Sequence, residues 1–470
     1  MKYNKITSEI IDELVKILGA KNVIYDDIEA MEKYSHDEVA EKSYAHMPEV
    51  VVKPSTTIEI AKIMKLANRY KIPVTPRGAG SGLSGGAIPV NGGIVLSVEK
   101  MNKIIEIDKK NFIAIVEPGV VTNEINNLVK DDGLFYAGYP MSVETCYIGG
   151  NVAENAGGGR AVKYGVTGRY IYGLEVVTPT GDILHLGGKR MKDVTGYDLI
   201  HLMVGSEGTL GIFTKIYVKL LPLPQAIVNL LVLFKDIESA ITLVPKIMGF
   251  GRIIPTSMEF MDELSFKTSC EYLNEKIPFE KAGAMLLIEL DGNSKKELEE
   301  QYEIIGNLCM ENRAIEVYVA DNATTSERIW KIRRNIAEAW KLVSPHQSLE
   351  DVVVPISEIA NFIKKIKELS KKYDIPIPCY GHAGDGNLHA TPIKNPKFTM
   401  DEWHKKLDAL LPELYKAAIE LGGTISGEHG IGSKRNQYIS MALEPAQIEM
   451  MKKIKKALDP NLVLNPGKLF

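Results

Sequence analysis

The chain is poor in cysteine, in long apolar runs and in net charge. Only Cys146, Cys270, Cys309 and Cys379 occur, and no two stand in a C-x-x-C pattern. A disulfide framework and an all-cysteine zinc or iron–sulfur site are therefore not expected, which leaves reduced thiols in a cytoplasmic setting. No apolar stretch approaches the roughly 18 residues of a transmembrane helix. The N-terminal MKYNKITSEIIDELVKIL mixes charge with apolar residues at helical spacing and lacks the apolar core of a signal peptide. The formal net charge is −4, so no basic excess marks a nucleic-acid partner. Two phosphate signatures are also missing. There is no G-x-x-x-x-G-K-[ST], and the G-x-G-x-x-G of Gly80, Gly82 and Gly85 runs into Pro89, Asn91, Gly92, Gly93 and a strand. A nicotinamide-binding turn needs a helix directly after it and an acid about 20 residues on, so that reading fails.

Glycine is what the chain has in excess. Of 40 glycines, 25 lie between Gly78 and Gly211. Such density inside an ordinary domain means that backbone must come close to something. The glycines fall in separated clusters: RGAGSGLSGG, IGGNVAENAGGGR and VGSEGTLG. Successive backbone N–H groups in such loops form concave nests for anionic oxygens, and several clusters imply one large ligand threaded through the domain. A glycine-rich hairpin between two strands is the competing reading of the first cluster alone.

The 470 residues suggest two to four domains at about 150 each. Residues 7–18 read as an amphipathic helix capped by Thr7 or Ser8, and residues 55–70 as a helix whose apolar face is Ile58, Ala61, Ile63, Met64 and Ala67. Strands are expected at VVVKP, IPVTP and IVLSV. LLPLP at 220–224 reads as a boundary, because its prolines cannot extend a sheet. Beyond it, NLLVLF, MLLIEL and IEVYV alternate with longer helices, an α+β texture with far less glycine. One helix runs from a Thr399 cap to Leu421 and stops at Gly422 and Gly423.

These motifs carry a resemblance. PRGAGSGLSGG, CYIGGNVAENAGG, GYDL with VGSEGTLGI, GHAGDGNLH, SGEHGIG and the terminal LNPGK together resemble the vanillyl-alcohol oxidase and p-cresol methylhydroxylase flavoenzyme superfamily, in its D-lactate dehydrogenase and glycolate oxidase branch. The resemblance runs from about Val50 to Phe470. It implies an α+β protein with an N-terminal helical segment at 1–45. A two-subdomain FAD-binding domain follows at 46–222, divided near residue 130. An α+β cap or substrate domain covers 223–422, and 423–470 return to the flavin. It further implies that Pro76, Arg77, Gly78, Ala79, Gly80, Ser81, Gly82, Gly85 and Gly86 hold the pyrophosphate. Pro140, Met141, Thr145, Gly149, Gly150, Ala153, Gly158, Gly159 and Gly165 would line the rest of FAD. Glu207, Gly208, Gly211 and Ile212 would complete the pocket, with Asn465 arriving from the C-terminus. Several superfamily members attach FAD through a histidine in the first loop. Here no histidine lies between His46 and His185, and Cys146 is the only nearby thiol, so non-covalent FAD is expected.

Five of the nine histidines follow residue 340. GHAGDGNLH puts His382 and His389 seven apart around Asp385 and Asn387, and SGEHGIG puts Glu428 beside His429. Two imidazoles and a carboxylate suit a divalent transition metal with open positions. A plain hairpin turned at Asp385 and Gly386 is the alternative for the first motif. The resemblance implies His382, His389 and Glu428 as ligands of zinc, iron or manganese, His429 as base, and Asn387 as a substrate contact. Oxidising a 2-hydroxy acid removes a hydride from carbon and a proton from oxygen. Histidine suits the proton, and flavin takes the hydride.

A carboxylate substrate needs a cationic clamp, for which the arginine fork is suited. On one helix with apolar Ile329, Ile332, Ile336, Trp340 and Val343, Arg333 lies about 60° from the apolar centre and Arg334 about 160°. Arg333 is the expected clamp, as the resemblance also implies. Relatives acting on dicarboxylic hydroxy acids often carry a lysine in the next strand, where this chain has Leu349 and Glu350. The expected substrate is therefore a small D-2-hydroxy monocarboxylate, D-lactate or glycolate. With no iron–sulfur or nicotinamide motif, reduced flavin must pass electrons onward. The resemblance points to an electron-transfer flavoprotein, in a bifurcating or confurcating enzyme, or to an iron–sulfur subunit as in glycolate oxidase assemblies. A flavin-fold transferase of the ether-lipid synthase type and a non-catalytic flavin-binding subunit are the competing classes.

Overall fold

The computed structural model describes residues 2–39, 44–275 and 281–470. The chain divides into two compact units. The first comprises Met1–Gly157, Val166–Leu223 and Glu428–Phe470; the second comprises Gly158–Gly165 and Pro224–Gly427. Residues 2–39 thus fold with the first unit, and the short excursion 158–165 leaves it.

In the first unit, helix Ser8–Leu18 starts where the Thr7 side chain accepts from Ile10 N–H, and it buries Ile10, Ile11, Leu14 and Leu18. Helix Thr57–Tyr70 begins with a reciprocal cap between Thr56 and Glu59 and buries Ile60, Ala61, Ile63, Met64, Leu66 and Ala67. Ile58 does not join that face, being 55% exposed. At 100° per residue it lies about 160° from Ile60. This helix connects Val50–Val52 to Val74–Arg77, both parallel to the central Ile94–Ser97. These short strands are buried almost throughout, which is why they read as continuous apolar runs rather than alternation. A five-stranded antiparallel sheet follows in the order Ile104–Asp108, Ile113–Val116, Ile212–Lys219, Ile171–Val177, Ile183–Gly187. The C-terminus closes the unit: Val74 N–H donates to Val463, and Val463 and Leu464 join the core. The prolines of 220–224 do not end all pairing, since Leu221–Pro222 pairs with Leu134–Phe135 in a two-residue ladder.

The second unit is one seven-stranded sheet. Its order is Ala314–Ala320, Ala226–Phe234, Ala284–Gly292, Ser257–Asp262, Cys379–His382, Asn387–Ala390, Glu350–Val353, and every pairing is antiparallel. Leu231, Leu233, Met261, Met285 and Leu287 pack with Phe266, Ile336 and Trp340 from the helices. Helix Met400–Glu420 carries the Thr399–Glu402 capping box, buries Trp403, Leu407, Leu410 and Leu414, and stops before Gly422 at φ +81°. The helix expected through Arg333 and Trp340 is broken into Ala323–Arg334 and Ile336–Val343. Asn335 breaks it by turning its side-chain amide back onto the Lys331 carbonyl, a bond that competes with helix continuation. Val343 is consequently 49% exposed and leaves the apolar face. No helix among the described residues is long and apolar enough to cross a membrane.

Candidate functional site

The glycine clusters of the first unit enclose a cavity of about 280 Å³. Its first wall is the loop after strand Val74–Arg77. Gly80 and Gly85 have φ of +78° and +76°, which L side chains rarely adopt. The Arg77 guanidinium occupies the place that a Cβ at Gly80 would need. It donates from there to the Lys33 and His36 carbonyls, at 2.9 and 2.6 Å. Asp37 fixes the other end of the loop by accepting from Gly85 N–H at 2.8 Å. The second wall is Gly149 and Gly150, in helix Ile148–Glu154. A Cβ at Gly149 would press on Pro118, so packing explains that glycine. A Cβ at Gly150 would meet no heavy atom within 4 Å, and at Gly78 and Gly82 only ordinary contacts. The protein's own packing does not require these three; they leave room for a ligand.

The remaining wall carries acids and a histidine. Glu207 stands at φ +51° and accepts from Ile431 and Gly432 N–H at 2.8 and 2.6 Å. Lys434 N–H bonds the Ser84 carbonyl, and Ser433 Oγ bonds that of Gly85. This pins the SGEHGIGSK segment against the first loop, so Glu428 and His429 line the cavity, 3.5 Å apart. Asn465 donates to the Gly86 and Glu207 carbonyls. Burial, with the charge of Glu207, pushes the Glu154 carboxyl well above the usual range. Burial raises Glu207 as well, against two backbone donors, and lowers Lys468 to about 8.

Of the residues expected at the cofactor, Pro76, Arg77, Gly78, Ala79, Gly80, Ser81, Gly82, Gly86, Pro140, Met141, Gly149, Gly150, Ala153, Glu207, Gly208, Gly211 and Ile212 line this cavity. Gly85 and Asn465 stand behind it as supports. Thr145 is exposed and turns its hydroxyl to the Ser142 carbonyl. Gly158, Gly159 and Gly165 belong to the second unit. Cys146 is buried and hydrogen-bonded with Thr122 and Asn151.

The second unit gathers ionisable side chains on four of its strands. Glu259 and His382 are directly opposed in register, and cross-strand partners on one face meet. His382 Nδ1 lies 2.6 Å from Glu259 Oε1, and Ser257 Oγ donates to the same oxygen at 3.1 Å. Arg333 Nε donates to Oε2 at 2.7 Å, and its guanidinium lies 4.9 Å from the Tyr380 ring centre. Glu259 is fully buried. Burial would raise its carboxyl, but the charges of His382 and Arg333 and the bonds around it bring it down to about 2. The GHAGDGNLH motif is a hairpin, with Gly386 at φ +85°. His389 sits diagonally from His382, their rings 5.4 Å apart and nearly perpendicular. Asp351, fully buried, lies 3.8 Å from His389 Nδ1 and accepts from Asn387 Nδ2, Ser426 Oγ and Gly427 N–H. Arg333 is 5% exposed, whereas Arg334 turns outward to Glu327.

The residues that sequence reasoning missed are Glu259, Asp351 and Glu154. Glu259 had one signal: a charge in the middle of the strand Ser257–Asp262, buried at all six positions. A charge there requires a partner.

Residues 48–187 match the family model "FAD binding domain", and residues 223–469 match "FAD linked oxidases, C-terminal domain". The chain is 42% identical to "Glycolate oxidase subunit GlcD" of Bacillus subtilis (strain 168), over 99% of this chain and 97% of that protein. It is 39% identical to "D-lactate dehydrogenase" of Anaerostipes hadrus, over 100% and 98%. The solved structure of p-cresol methylhydroxylase with substrate bound superposes at a TM-score of 0.79, with 20% identity over 99% of this chain and 97% of that one.

Proposed function

The chain belongs to the family of FAD-linked oxidases, and on that premise we propose that it oxidises a small D-2-hydroxy monocarboxylate, D-lactate ahead of glycolate, to the 2-oxo acid. One observation carries the reading: Glu428 and His429 line the same cavity as the glycine-rich loop of Pro76–Gly86. Relatives named for glycolate and for D-lactate support the substrate class. So does Glu350, which stands where a second cation would be sought. It is fully buried, with its oxygens taken by Ser348 and Tyr415.

FAD fits the first unit because Gly78, Gly82 and Gly150 keep space that no protein atom needs. Burial biases the two nearby carboxyls toward the neutral form, which lessens repulsion of an anionic cofactor. When bound, FAD supplies the acceptor for a hydride from the substrate carbon. Attachment is non-covalent in this proposal, since Cys146 is buried away from the cavity wall. His429 accepts the hydroxyl proton. Arg333 holds the substrate carboxylate. Its Nε is anchored by Glu259, while its two terminal nitrogens make no hydrogen bond to the described residues. Asn387, the other proposed substrate contact, is held by bonds from its Nδ2 to Asp351 Oδ1 and the Val352 carbonyl.

The proposed metal ligands are those read from the sequence, His382, His389 and Glu428. By residue type, two imidazoles and a carboxylate suit a divalent ion such as zinc, iron or manganese. The two imidazoles are close and edge to face, and His382 gives its Nδ1 to a carboxylate, as metal-binding histidines commonly do. Such an ion would ease loss of the hydroxyl proton. The four cysteines are free, buried and scattered. Electrons therefore leave through a partner in this reading, an electron-transfer flavoprotein or an iron–sulfur subunit.

The test is anaerobic bleaching of the protein's flavin by D-lactate, glycolate, L-lactate and D-2-hydroxyglutarate. D-lactate should be fastest, and His429→Ala should keep flavin but slow bleaching about 100-fold or more. Bleaching by none of the four, or an undiminished rate in the variant, would overturn the reading.

A further inference from the structure

We infer that Glu259 is a positioning residue that ties the substrate clamp to the metal-ligand histidine, one carboxylate oxygen for each. The inference rests on the roles of Arg333 and His382 proposed above. Its geometry lies entirely within the second unit. Glu259 is the strand residue directly opposite His382, and the helix ending at Arg334 brings Arg333 to its other oxygen.

Each bond has a separate consequence. The Oε1 bond at 2.6 Å engages His382 Nδ1, so ligation by this histidine, in the proposed function, falls to Nε2. The Oε2 bond engages Arg333 at Nε, the inner edge of the fork. That fixes the guanidinium plane and turns the two terminal nitrogens toward a carboxylate ligand. Because one carboxylate makes both bonds, the two partners share a single anchor.

The surroundings are built for this carboxylate. Ser257 Oγ steadies Oε1 from two residues away on the same face. A Cβ at Gly159 would lie 2.7 Å from Oε1 and 3.1 Å from Ser257 Oγ, so the third glycine of GGGR leaves space for the bonded pair. This gives Gly159 a role in the second unit that the glycine count attributed to the cofactor. The neighbouring acid, Glu289, has its own partner in Arg160 at 3.1 Å and does not compete for Arg333.

The experiment uses the FAD-loaded protein and four variants: Glu259→Gln, Glu259→Asp, Arg333→Ala and His382→Ala. Manganese(II) affinity is read by equilibrium dialysis. KM and kcat are read with the best hydroxy acid of the panel, and folding by flavin content and circular dichroism. Glu259→Gln should weaken manganese(II) binding by about 10- to 100-fold, the usual cost of losing a carboxylate behind a ligating histidine. It should also raise KM more than about 10-fold, with a smaller change in kcat. Arg333→Ala should raise KM and leave manganese(II) affinity unchanged, and His382→Ala should abolish manganese(II) binding. If Glu259→Gln does not retain flavin, Glu259→Asp decides; its retracted carboxylate should impair both readouts. A folded Glu259 variant that moves only one readout, while the two partner variants behave as stated, overturns the coupling. Wild-type KM in Arg333→Ala with wild-type manganese(II) affinity in His382→Ala instead overturns the functional reading, and the role of Glu259 with it.

Discussion

The two units build their sites from opposite materials. The cavity of the first is walled largely by glycine-rich loops, and its buried acids are pushed toward the neutral form by burial and, at Glu154, by the charge of Glu207. The strand cluster of the second is made of side chains, and the carboxyl of its equally buried Glu259 is brought down to about 2 by its bonded partners His382 and Arg333. Burial is common to both, so burial does not decide the charge; the partner does. A site built on glycine-rich loops suits a large ligand that brings its own anionic groups. A site with an anchored arginine and two imidazoles suits recognition of a small carboxylate and a cation.

The strongest way to break this contrast is at Gly150. If its missing side chain serves a ligand, Gly150→Val should leave the flavin-free protein as stable as wild type. FAD affinity should fall about 1,000-fold, or ~4 kcal/mol. Fluorescence titration of flavin against the stripped protein measures the first quantity and thermal unfolding the second. A destabilised fold with normal flavin affinity would show that Gly150 serves packing, as Gly149 does against Pro118.

The contrast also explains what was legible in the sequence. A backbone site leaves a local trace, because every close approach needs a glycine nearby in the chain. RGAGSGLSGG and IGGNVAENAGGG accordingly pointed to most of the cavity wall. The trace is not selective, however. Gly159 looks like its neighbours in the string GGG, yet its bulk is excluded by Glu259, 100 residues further on. A charged side-chain site leaves half a trace. His382 and His389 were visible because one hairpin holds both, whereas Glu259 is joined to His382 across 123 positions by strand register alone. Helix phase separated Arg333 from Arg334, but it could not show that the helix breaks at Asn335, since that depends on one side-chain amide. The same phase argument misplaced Ile58, where the apolar stripe was drawn one residue too wide.

A second test stays on the strand that carries Glu259. Asp262, three residues along, is also buried, but its direct partners are neutral donors: Ser265 N–H and Oγ, and Cys379 N–H. Burial lifts its carboxyl from 3.8 to about 6, against those bonds. Between these values the folded chain keeps a proton that the unfolded chain has lost. The associated stability is complete below 3.8 and is lost as pH rises through about 6. Relative to Asp262→Asn, wild type should therefore gain on the order of 3 kcal/mol as pH falls from neutral toward 4. Paired thermal midpoints across that range measure it. A pH-independent difference between the two proteins would mean that Asp262 is ionised throughout, and the partner rule would fail within a single strand.

The smallest effect belongs to Arg334. It is the immediate neighbour of Arg333 and pairs with Glu327 on an exposed helix surface, its side chain 39% accessible. Exposed pairs of this kind are worth about 0–1 kcal/mol. Arg334→Ala should thus shift the unfolding midpoint by a degree or two at most, in the range of about 0.5 kcal/mol for a surface substitution, and leave KM for the hydroxy acid unchanged. Arg333→Ala removes a buried guanidinium and leaves Glu259 bonded to His382 and Ser257 alone. Breaking a buried pair from one side costs about 3–5 kcal/mol, and KM should rise with it. Comparing two adjacent arginines holds helix, charge and local sequence nearly constant. A matching rise in KM for both would therefore remove Arg333 from the clamp, whatever its burial.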